Sequence, residues 1–181
     1  MRRVTLGIAL TAMTSCLVAL PAALSAQCTA SGAPDACSVP AVASLAAGRV
    51  VRLQMNTTST PLTAPTTADF DAGFNSTTGP TLTISANAAW TVHIHAASAV
   101  WTASNTSPTA PARLNKPAGD LRWSTGLGGS FASLTTSDAT LVNGSATASS
   151  ATTLYFQTLY DWAMDTPGSY SLSVVLTLTA P

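Results

Sequence analysis

The chain has 181 residues, with 7 basic and 7 acidic side chains, 8% charged residues and 46% hydrophobic ones. Globular domains usually carry roughly 25% charged residues. All the acids are Asp and Lys116 is the single Lys, which argues against long solvent-exposed helices and excludes the polybasic surface that a nucleic acid requires.

Residues 1–26 read as a signal peptide. Arg2 and Arg3 form a basic start, Val4 to Leu20 carry no charge, Pro21 breaks the run, and Ala22 to Ala26 supply small residues for cleavage. The expected cut follows Ala26, with Ser25 and Ala23 as alternative sites. At ~17 residues the apolar run lies at the lower limit for spanning a bilayer. The protein is therefore expected to be secreted, periplasmic or on the cell surface of a bacterium, with no membrane span after cleavage.

Cys28 and Cys37 remain after the leader is removed, and an exported even pair reads as a disulfide. It closes a short loop through Gly32, Ala33 and Pro34, contributing about 2–3 kcal/mol. A metal site would need further thiols or nearby His, and redox chemistry would need a C-x-x-C spacing. Residues 27–38 read as an irregular segment, and 39–181 as a single β domain.

Along that domain the apolar period is two. Val51, Leu53 and Met55 alternate with Val50, Arg52 and Gln54, as a strand requires. The stretch from Asn56 to Ala68 is rich in Thr, Ser and Pro and reads as a loop. Phe70 and Phe74 suggest a short strand, and Asn75 to Pro80 a turn. Leu82 and Ile84 point inward. Trp90, Val92, Ile94 and Ala96 form one face of the next strand, and Thr91, His93 and His95 the other. Val100 to Ala103 suggest a short strand, followed by a Pro-rich loop from Asn105 to Pro117. Leu121 and Trp123 share a face, Leu141 sits in a short strand, and Leu154, Phe156 and Thr158 alternate with Tyr155, Gln157 and Leu159. After the turn at Pro167–Gly168, Tyr170, Leu172, Val174, Leu176 and Leu178 share one face of a last strand. No segment shows a convincing 3.6-residue period. The expected fold is all-β, an Ig-like antiparallel sandwich of 7–8 strands.

Few residues suggest chemistry. His93 and His95 lie on one strand face, ~6.6 Å apart along it, and could share a metal if Asp or Met completed the site. The competing reading is two polar residues on a solvent face. Trp162 and Trp101 are the candidates for an exposed, ligand-binding aromatic, because Trp90 and Trp123 share faces with core residues. Asp69 with Asp71, and Asp161 with Asp165, are formal acid pairs, but turn-forming Asp is the simpler account. There is no G-x-S-x-G elbow and no phosphate loop. No catalytic residue and no cofactor is expected.

The last strand carries no charge from Ser169 to Pro181, although exposed sheet edges are usually guarded by charge. Such a strand is either central in its sheet or offers its edge to another chain.

An export signal, an early Cys pair, N-x-x-W before an alternating strand (Asn87 to Trp90) and a closing P-G-x-Y-x-x-x-V (Pro167 to Val174) occur together. In these respects the chain resembles bacterial secreted Ig-like sandwiches, the fimbrial subunits and spore-coat-U type domains. The resemblance implies a terminal strand that closes the domain, and subunits joined by donor-strand exchange through a chaperone–usher system. It implies no catalytic residues. The chain departs from the pattern in keeping its Cys pair together at the N-terminus. The expected role is a non-enzymatic structural or adhesive surface protein, self-associating or packing with other surface subunits. The alternatives are a carbohydrate-binding module, and a metal-binding protein using His93 and His95.

Overall fold

Residues 43–104 and 112–181 are described in the computed structural model, and Ala47–Pro181 forms one compact unit. The expected leader, the Cys28–Cys37 pair and the irregular segment 27–38 lie outside the described residues.

The alternating runs become strands: β1 (Val51–Met55), β2 (Phe74–Ala86), β3 (Trp90–Ala96), β4 (Thr102–Ser104), β5 (Leu121–Ser124), β6 (Ala132–Ser133), β7 (Ala139–Gly144), β8 (Thr147–Leu159), β9 (Ser169–Ser171) and β10 (Val174–Thr179). One sheet has the order β1-β2-β8-β5-β6, a second β10-β3-β7, and β4 pairs with β9. All pairings are antiparallel, so the fold is an all-β sandwich.

Period-two patterning builds the core. Leu82 and Ile84 on β2, with Leu154 and Phe156 on β8, meet Trp90, Val92 and Ile94 on β3. Each fully buried aliphatic side chain contributes about 1.5–3 kcal/mol. Trp90 can be buried because its Nε1 donates to the Ser145 carbonyl at 2.7 Å.

Several expectations need correction. Phe70 lies in a short helix, α1 (Thr67–Ala72), and not in a strand. The Thr66 side chain accepts from the Asp69 amide, and the Asp69 carboxylate accepts from the Thr66 amide. This capping box, closed at the far end by Gly73 at φ 78°, holds a helix too short to show a 3.6-residue period. The stretch Asn75–Pro80 is no turn but part of β2. Its Gly79–Pro80 falls where the register with β8 slips between Thr78 and Thr81, as a bulge allows.

The last strand is split in two. β9 pairs with β4 and β10 pairs with β3. The segment 97–101 between β3 and β4 is longer than the Leu172–Ser173 step that faces it, and although the Ala97 amide still donates to the Ser173 carbonyl at 2.9 Å, the paired chain breaks there. The short element β6 and this split bring the count to ten strands among the described residues, against the seven or eight expected.

β10 occupies a sheet edge, with β3 its hydrogen-bonded neighbour. β1 forms the edge of the other sheet, and the two edges approach without hydrogen-bonding.

Candidate functional site

Between those two edges runs a groove of about 460 Å³. Met55 and the segment Thr57–Leu62 form one wall, and Leu172, Val174 and Leu176 the other. Its floor is core: Trp101, Leu121, Leu154 and Phe156. Burial falls across the sheet toward it. Val92 and Ile94 on β3 are fully buried, whereas their register partners Leu178 and Leu176 on β10 are only partly covered. The inward row of the last strand thus stands half-open beside an edge whose backbone, among the described residues, has β3 as its one paired strand.

The groove wall at Thr57–Leu62 is loosely held. Leu62 packs against the core, but the anchors of the next residue are two weak contacts, from the Thr63 amide and hydroxyl to the Thr77 hydroxyl at 3.4 and 3.5 Å.

On its far side Leu62 lines a second groove of about 370 Å³ with Phe70, Tyr160 and Tyr170, and with Lys116 and Asp165 at its base. Lys116 Nζ donates to Asp165 Oδ1 at 2.9 Å, to Asp120 Oδ2 at 3.2 Å and to the Leu159 carbonyl at 2.8 Å. Arg113 adds a bond to Asp165 Oδ1 at 3.0 Å. All three protons of the ammonium are used, and two cations face two carboxylates. The cluster fastens the chain around 113–120 to the loop 160–166.

Four groups lie in series from that cluster to the surface. Lys116 Nζ stands 5.5 Å from the Tyr160 ring centre. Tyr160 lies 5.3 Å from Phe70, and Phe70 lies 4.6 Å from Trp162, the rings tilted by 41° and 30°. Trp162 is outermost, 61% exposed, and its Nε1 donates to Asp71 Oδ1 at 3.0 Å. Desolvation raises the Tyr160 hydroxyl above the usual phenol range, opposed by its bond with Thr158.

The two aromatic candidates therefore part. Trp162 is a surface ring. Trp101 is 4% exposed and its Nε1 donates to the Pro117 carbonyl; it is a core residue and not a surface platform.

The two His candidates have different partners. His95 Nδ1 lies 2.7 Å from Asp138 Oδ1, while His93 sits between Thr177 and Thr140 in the ladder. No group of three or more His, Cys, Asp or Glu that could hold a metal ion occurs among the described residues. The neighbouring strands present Thr and Val where further ligands would be needed.

The Asp residues do local work. Asp69 closes the cap of α1, and the bond from the Thr66 backbone, with a second from its side chain, holds its carboxyl below the usual range. Asp161 Oδ1 accepts from the Ala163 and Met164 amides, and its own amide donates to Asp165 Oδ2. Sequence spacing gave no sign of the Arg113–Lys116–Asp120–Asp165 cluster, whose members meet only through folding.

No helix among the described residues is long and apolar enough to cross a membrane. No family model matches the chain, and no curated protein is significantly similar to it.

Proposed function

We propose that this chain is an exported, non-enzymatic structural subunit that joins an extracellular assembly by taking up a β-strand from another copy along β10. The observation that carries this reading is the uncharged edge of β10 beside a groove floored by core side chains. An open edge offers a row of backbone donors and acceptors, and a groove beside it accepts alternate side chains; together they suit strand addition. An incoming strand with apolar residues at every second position would cover Leu176 and Leu178.

Strand order supports the same reading. In an Ig-type sandwich one sheet is ABED and the other CFG. β1, β2, β8 and β5 lie in the order A-B-E-D, and β3 with β10 correspond to C and F. The edge of β10 that is unpaired among the described residues is where G would lie, so a partner's strand there would complete the sandwich. β7, paired on the outer side of β3, is a departure from that scheme.

The full chain, expressed with its leader, tests the proposal. N-terminal sequencing of the exported protein should begin at Gln27. Light scattering and electron microscopy should show multimers that grow with concentration. Thr177→Lys places a charge on the exposed face of the edge strand and should abolish multimers while leaving the β-type circular dichroism intact. A protein that stays inside the cell uncleaved, or is monomeric at every concentration, overturns the reading.

A further inference from the structure

We infer that Trp162 is a docking platform for neutral polysaccharide, an adhesive site separate from the β10 edge and independent of strand addition. Tryptophan is mostly buried in folded proteins, and one that is 61% exposed needs an account. Its contacts with Phe70 and Asp71 still leave most of its surface open to solvent. The ring lies on Phe70 at 4.6 Å, and the ring edge is fixed by the 3.0 Å bond to Asp71.

The ring is held from three directions. Asp71 and Phe70 are on α1, whose start is closed by the Thr66–Asp69 capping box. Trp162 itself follows Asp161, whose carboxylate binds the Ala163 and Met164 amides and whose carbonyl accepts from the Asp165 amide. Asp165 in turn is locked to Lys116 and Arg113. A surface aromatic fixed in this way loses little entropy on binding. This is an arrangement for presenting a flat apolar face to water.

The surroundings select the ligand. Asp71 is exposed and its carboxylate meets the ring edge. A carboxylate there accepts from hydroxyl groups and repels uronate or sulfate groups, which favours an uncharged ligand over an acidic one. A pyranose that carries its C–H bonds on one face and hydroxyls around its rim matches a flat ring bordered by an acceptor. A quaternary ammonium is disfavoured, since cation recognition of that kind uses several rings around the ion. Here the rings follow one another in series, Tyr160 against Phe70 and Phe70 against Trp162, with Trp162 outermost.

Affinity electrophoresis of the exported protein in native gels containing hydroxyethyl cellulose, xylan, glucomannan or dextran sulfate tests the inference. At least one neutral polymer should retard the protein and change its Trp fluorescence. Trp162→Ala should weaken that retardation by about tenfold or more, the scale of a lost anchoring Trp, with the circular dichroism unchanged. Trp162→Phe, which keeps an aromatic face, should retain measurable retardation. The inference falls if no neutral polymer retards the protein. It falls equally if dextran sulfate is bound in preference, if Trp162→Ala binds as well as the parent, or if the Phe and Ala variants lose binding equally.

Discussion

Lys116 and Asp165 stand 2.9 Å apart with side chains only 4% and 7% exposed, joining two loops that are remote in sequence. Removing one partner of a buried pair leaves the other charge without its counter-ion. Lys116→Met should therefore destabilise the fold by about 3–5 kcal/mol. Asp138→Asn breaks the pair with His95 at a site where Asp138 is 59% exposed, and should cost under about 1 kcal/mol. Urea denaturation of both variants checks the contrast; equal midpoints would show that the cluster does not fasten the loops.

Gly79 lies against Phe156 and the β8 backbone. A Cβ there would come within 2.7 Å of Phe156 Cε2 and 2.9 Å of the Leu154 carbonyl oxygen. Gly79→Ala must push the ring or the bulge, at about 1–3 kcal/mol. Gly128 has nothing within 4 Å of the corresponding position, and Gly128→Ala should change stability by no more than about 0.5 kcal/mol. Thermal unfolding of the two variants separates the cases.

The capping box gives α1 an acid sensitivity of known sign. Bonds from Thr66 hold the Asp69 carboxyl below its usual range. Its contribution is therefore present above the unfolded-state value and lost as pH falls through the lower, folded one. Titration by NMR should find the Asp69 carboxyl ionising below a peptide Asp. Thr66→Ala removes the side-chain bond and should move that titration part of the way back, while costing about 1 kcal/mol. An Asp69 titration identical in parent and variant would contradict the geometry.

Much of the architecture was legible in the chain. Strict alternation at Trp90–Ala96, Leu82–Ile84 and Leu154–Thr158 specifies which side chains are inside, because a one-residue slip would turn each row to water. The surface position of Trp162 was legible too, from its place in a polar loop before the last strand. Elements fixed by a few hydrogen bonds were not. The helix at Thr67–Ala72 is set by three bonds between Thr66 and Asp69, and the continuous β2 by a bulge that swallows a Gly-Pro turn signal.

By itself, the sequence determined the layered β class, the inward rows and the lack of charge on the closing strand, since these depend on local periodicity and composition. Only the tertiary structure decided that this strand lies at an edge, that Trp101 is core while Trp162 is not, and that Lys116 meets Asp165. Sheet order and contacts between distant loops depend on which strands pair, and no spacing along the chain encodes that.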